Sequence, residues 1–160
     1  MEKLIYRLNY VFSRIGILVM MFLTFITVID ISGRYLFNKP LPGTIEMTEL
    51  ALVVIVYLTL GYTEHFGEHI VIDTVYKAMP KGIRYVLFII ASIISFVSIL
   101  LMSWQLYVYA GRMLSGGYKT GVLGIPYYPV VIIASIGSLS YGLAIISNMA
   151  KFIKKGDEEK

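Results

Sequence analysis

The sequence predicts an all-α integral membrane protein with four transmembrane helices, and three observations carry that prediction. The composition is 58% hydrophobic and only 15% charged, whereas soluble domains carry about a quarter charged residues. Two stretches run without a charge for 27 residues, between Arg84 and Arg112, and for 31, between Lys119 and Lys151; roughly 20 apolar residues suffice to cross a bilayer. The Lys and Arg residues behind the net charge of +4 gather at the ends of apolar segments. That pattern anchors helices in a membrane and is not the basic stripe of a nucleic-acid-binding face.

The first span covers residues 15–33. It reads as a retained span rather than a cleaved signal, because Asp30 and Arg34 follow the apolar run and no small-residue cleavage site is present. Ahead of it Leu4, Ile5, Leu8, Val11 and Phe12 recur at helical spacing, with Lys3 and Arg7 elsewhere. This stretch is either a short amphipathic helix lying in the interface or an extension of the span. The second span covers residues 45–63. A second amphipathic stretch follows, with Ile72, Val75, Tyr76 and Met79 beside Asp73 and Lys77, ending at Pro80. The third span covers residues 85–110 and the fourth 126–150. Connections of about a dozen, twenty and fifteen residues leave no room for a soluble domain, so residues 1–160 form one transmembrane domain.

Four spans place both termini on one side. The N-terminus, the middle loop and the tail hold ten cations, whereas the other side holds four, Arg34, Lys39, Arg112 and Lys119. By the positive-inside rule both termini are cytoplasmic. Tyr62, Tyr76 and Tyr85 then fall near the inner boundary, and Tyr35, Tyr107, Tyr109, Tyr118, Tyr127 and Tyr128 near the outer one, as interfacial belts do.

Polar residues in the spans are the candidates for function. Only 14 residues separate Glu49 from Glu64, too few to cross about 30 Å of hydrocarbon, so a carboxylate lies at membrane depth. Glu46 and Glu49 share a helical face near the outer boundary, and Asp30 and Arg34 are four apart at similar depth, which predicts one polar cluster. Three acids against Arg34 leave an excess to be neutralised by protonation, by interfacial water or by a cation from another protein. Coupling-ion binding is a further reading, although such sites lie nearer the midplane.

Glu64, His65, Glu68 and His69 place two imidazoles one helical turn apart, a weak metal pattern without a third histidine. Haem ligation fits less well, since bis-histidine ligation takes one His from each of two facing helices. Ala134, Ser138 and Gly142 form a small-residue groove on the fourth span, and Ala91 with Ser95 does so on the third. The chain has no cysteine, which excludes disulfides, thiolate metal sites and thiol catalysis. No nucleophile–base pair or phosphate-cradling glycine loop is present, so no catalytic residue, cofactor or resident metal is expected.

The string Asp30-Ile-Ser-Gly-Arg34-Tyr35-Leu-Phe37-Asn38-Lys-Pro40-Leu-Pro42-Gly43-Thr-Ile-Glu46-Met-Thr-Glu49 resembles the small membrane subunit of tripartite ATP-independent periplasmic (TRAP) transporters. Gly67-Glu-His69-Ile-Val-Ile-Asp73 and Thr120-Gly121-Val-Leu123-Gly-Ile-Pro126-Tyr-Tyr-Pro129 are similar to the same family. The resemblance implies a bacterial inner-membrane complex in which a periplasmic binding protein delivers an organic acid, such as a C4-dicarboxylate or sialic acid, to a two-part permease driven by sodium. It further implies that a large, roughly twelve-span subunit carries the transport sites as an elevator, while the small subunit widens the fixed scaffold and helps dock the binding protein. The first-hairpin residues would then meet the large subunit. The alternative is a self-sufficient homodimeric transporter using Glu46 or Glu49 as its proton site.

Overall fold

The computed structural model describes residues 2–65 and 80–158. They form four helices: α1 (Glu2–Phe37), α2 (Thr44–His65), α3 (Lys81–Ser115) and α4 (Tyr128–Glu158). All four are long and apolar enough to cross a membrane. Each runs without interruption, as backbone surrounded by hydrocarbon must. At about 1.5 Å per residue the 36 residues of α1 reach well past a hydrocarbon layer of about 30 Å. The fourth helix starts at Tyr128 rather than 126 because Pro126 is held in a bridge to Lys119. Pro129 sits in its first turn, where a missing N–H leaves no hydrogen bond unmade.

The N-terminal stretch is not a separate interfacial helix. It is the first part of α1, the second of the two readings above, and its apolar face looks outward. Leu4, Leu8 and Val11 are exposed, while Asn9, Ser13 and Gly16 are buried. The reason is the solvent: in lipid the outside of a bundle is apolar, and small or polar residues mark where helices meet. The second amphipathic stretch, with Gly67, His69 and Asp73, lies outside the described residues.

Around α4 the other three helices are arranged, with α1 also packed on α2. Half of the spanning window of α4 is buried, against 6% for α3. Close approach follows from small side chains. Ala134, Ser138 and Gly142 are all buried, and a Cβ on Gly142 would meet Ile99 and Phe96 of α3 at 3.4 and 3.6 Å. This groove is therefore used within the chain. The Ala91 and Ser95 pair on α3 is exposed. Toward α2, a Cβ on Gly137 would lie 2.5 Å from the Tyr57 carbonyl oxygen, so only glycine permits the crossing.

Two serines tie α3 to α4 inside the bundle. Ser103 Oγ donates to the Ser135 carbonyl at 2.9 Å, and Ser135 Oγ donates to the Ser103 carbonyl at 2.9 Å. Reciprocal bonding to carbonyls removes the cost of burying the hydroxyls.

Candidate functional site

Two loops, 38–43 and 116–127, meet at one end of the bundle, and the acidic residues singled out in the sequence hold them there. The first loop begins where Asn38 adopts a left-handed backbone (φ 54), which ends α1. Its N–H returns to the Arg34 carbonyl, and that of Lys39 to the Gly33 carbonyl. Asp30, buried about two turns back, receives the Arg34 guanidinium at 2.9 Å on one oxygen. Its other oxygen accepts the Leu41 backbone N–H at 2.7 Å. One carboxylate thus joins helix and loop, and the Thr44 hydroxyl closes the turn onto the Leu41 carbonyl at 3.0 Å.

Glu46 does something different from what its charge predicted. It does not join Arg34. Its Oε1 accepts the Val122 N–H at 2.6 Å and its Oε2 the Leu123 N–H at 2.9 Å. Two consecutive amides on a carboxylate form a charge-assisted pair of bonds between the start of α2 and the loop that follows α3. The receiving loop is compact: Thr120 N–H meets the Ile125 carbonyl at 2.9 Å, the Thr120 hydroxyl accepts the Ile125 N–H at 3.0 Å, and Gly124 has φ 65. Gly121 lies beside the carboxylate, where a Cβ would come within 3.5 Å of Oε1. Gly43, at φ 81, leaves the space that the Leu123 side chain fills. Gly43, Glu46, Gly121 and Leu123 therefore belong to one interlock.

The expected cluster thus resolves into two separate contacts. Two of the three acids are met inside the chain, Asp30 by Arg34 and Glu46 by loop amides. Glu49 is exposed and makes no hydrogen bond or ion pair among the described residues. Tyr35 and Phe37 point outward, 89% and 72% exposed, and Pro40 and Pro42 are exposed in the loop.

The end bearing the termini holds a polar layer that the sequence reading missed. Asn9 is fully buried; its Oδ1 accepts the Ser140 hydroxyl at 2.7 Å and its Nδ2 lies 3.2 Å from His65 Nε2. Asn148 Nδ2 bonds to the Glu64 carbonyl and to Glu64 Oε1 at 3.1 Å. The rings of Tyr6, Tyr10 and Tyr62 pack beside this layer. His65 therefore bonds to an amide, and among the described residues no three His, Cys, Asp or Glu side chains gather to hold a metal. The available signal was the spacing of Asn9, Ser13 and Gly16, which places them on one face of α1.

The family model for tripartite ATP-independent periplasmic transporters, DctQ component, matches residues 9–155. The chain belongs to that family. It is the small membrane subunit of a TRAP transporter. It is 27% identical over 157 residues to the ectoine TRAP transporter small permease protein TeaB of Halomonas elongata, across 98% of this chain and 79% of that protein. The matched segment contains both interlocked loops of the small subunit, together with Asn9 and its partners.

Proposed function

We propose that the small subunit is a rigid, non-catalytic part of the permease that extends the fixed scaffold of the large elevator subunit in the bacterial inner membrane. Its termini are cytoplasmic, and its interlocked loops face the periplasm, where they help to dock the substrate-binding protein. The complex takes up a small organic acid or a related solute, with sodium as the coupling ion; ectoine, in the name of the relative, is one member of that range. The observation that carries the reading is that Glu46 is committed to loop amides while all four helices run unbroken. Transport sites are built from interrupted helices and free coordinating groups near the midplane.

Reconstitution tests this directly. Liposomes with the large subunit, this subunit and the binding protein should take up substrate on a sodium gradient, and omission of this subunit should abolish uptake. Liposomes holding this subunit alone should show none. Substrate-driven proton flux through the lone chain, lost in Glu46→Gln or Glu49→Gln, would replace this reading with that of a self-sufficient transporter.

A further inference from the structure

The exposed surface of α3 is divided into two arcs of opposite chemistry. Ile90, Ile94, Val97, Leu101 and Trp104 follow the three-and-four spacing of one helical face, and all are exposed. Ser95, Ser98, Met102, Gln105, Tyr109 and Arg112 follow the same spacing about a quarter-turn away, and they too are exposed. An open depression of about 270 Å³ lies on this second arc, lined by Met102, Gln105, Leu106, Tyr109 and Arg112. The first arc suits acyl chains. The second does not, because Gln105 lies seven residues, about 10 Å, along the helix from Arg112. With Arg112 at the headgroup boundary, the Gln105 amide is inside hydrocarbon, where a polar group without a partner is costly. Among the described residues, neither Gln105 nor Arg112 makes a side-chain hydrogen bond or ion pair.

We infer that the Ser95–Arg112 arc of α3 is the seam against a transmembrane helix of the large subunit, which presents an amide or hydroxyl partner to Gln105 and an acidic group or helix C-terminus to Arg112. This rests on the scaffold role proposed above and assigns the face that serves it. Small Ser95 and Ser98 permit close backbone approach, and the depression at Gln105 receives a side chain from the partner. A second copy of this chain fits less well. A parallel two-fold pairing along the arc would set Arg112 against Arg112, whereas a different helix is free to carry the complementary charge.

The test is site-specific photocrosslinking in the assembled permease, with a photoreactive amino acid placed singly at Ser98, Gln105, Val97 or Trp104. Adducts to the large subunit should form from Ser98 and Gln105 several-fold more than from Val97 and Trp104. Gln105→Leu should lower recovery of the large subunit several-fold while the isolated chain melts no lower than wild type; Trp104→Leu should leave recovery unchanged. Adducts confined to Val97 and Trp104, or adducts only to a second copy of this chain, would overturn the assignment while leaving the scaffold reading intact. If the wild-type chain brings down no large subunit, the scaffold reading itself fails, and this assignment with it.

Discussion

Substituting Gly137 with Ala tests whether the α2–α4 crossing is set by backbone contact. A Cβ at Gly137 would sit 2.5 Å from the Tyr57 carbonyl oxygen, about 0.9 Å inside ordinary contact at 3.4 Å. The obstacle is backbone, so no rotamer change relieves it, and the two helices must separate. Forced overpacking of this kind costs about 1 to 3 kcal/mol, against a gain of up to about 1 kcal/mol from replacing glycine in a helix. The expected net effect is destabilisation by about 1 to 2 kcal/mol, or several degrees in Tm at roughly 2 to 4 °C per kcal/mol. Gly111 on α3 is the control, because a Cβ there meets nothing within 4 Å; Gly111→Ala should hold or raise stability. The assay is thermal unfolding of the purified chain and both variants in one detergent, followed by circular dichroism. If Gly137→Ala melts at or above wild type, or both variants move in the same direction, the crossing is not limited by this contact.

Other substitutions probe the remaining ties. Glu46→Ala should speed hydrogen exchange at the Val122 and Leu123 amides, with Glu46→Gln intermediate; unchanged protection in Glu46→Ala would break the interlock argument. Asn9→Leu strands the Ser140 hydroxyl and leaves His65 without its amide, which should destabilise the isolated chain by about 1 to 2 kcal/mol; an equal or higher melting temperature would count against a structural role for this layer. Ser138→Leu places a large side chain at a fully buried position and should lower the stability of the chain purified without its partner, by about 1 to 3 kcal/mol. A loss seen only in the complex would mean that the groove faces the large subunit. The chain has no native cysteine, so Lys39→Cys and Lys119→Cys should each be labelled from the periplasm by an impermeant maleimide; labelling from the cytoplasm alone would invert the topology.

The four spans were legible because uncharged length is a strong signal, and in the structure every helix end but the start of the fourth runs beyond the span read from hydropathy. Asp30 and Arg34 were legible as a pair because both partners are charged and four residues apart. Glu46 was not, because its partners are backbone amides 76 and 77 residues away, and amides leave no mark in a sequence. Charge counting therefore offered a proton, water or another protein's cation for its neutralisation, and did not offer the loop of the same chain that supplies it. The neighbours of the N-terminal stretch were not legible for a related reason: its buried face is marked by small and polar residues, not by apolar ones. Leu4, Leu8 and Val11 lie on the exposed, apolar side, as an amphipathic reading expects, and Asn9, Ser13 and Gly16 on the opposite side face the neighbours.

Packing also separates the well-held part of the molecule from the sparsely covered one. Three of the helices hold one another at both ends. Asn9 of α1 joins Ser140 of α4 and His65 of α2 at the end with the termini, and Asp30 and Glu46 fix the loops at the other. The third helix has less. It packs on α4 through Ser103, Ser135 and Gly142, and most of its circumference is uncovered. A helix so placed is stable in lipid only where its exposed residues are apolar, a condition met along Ile94, Val97 and Leu101 and broken at Gln105 and Arg112. The Glu46 tie bears on the same surface, since it fastens the loop that follows α3 to the start of α2. It thereby fixes how far the Arg112 end of α3 stands from the rest of the bundle. A carboxylate that lost its charge during each transport cycle would weaken both amide bonds and release that end. On the proposed scaffold role Glu46 therefore stays ionised, which is the opposite of what a proton-coupling residue does.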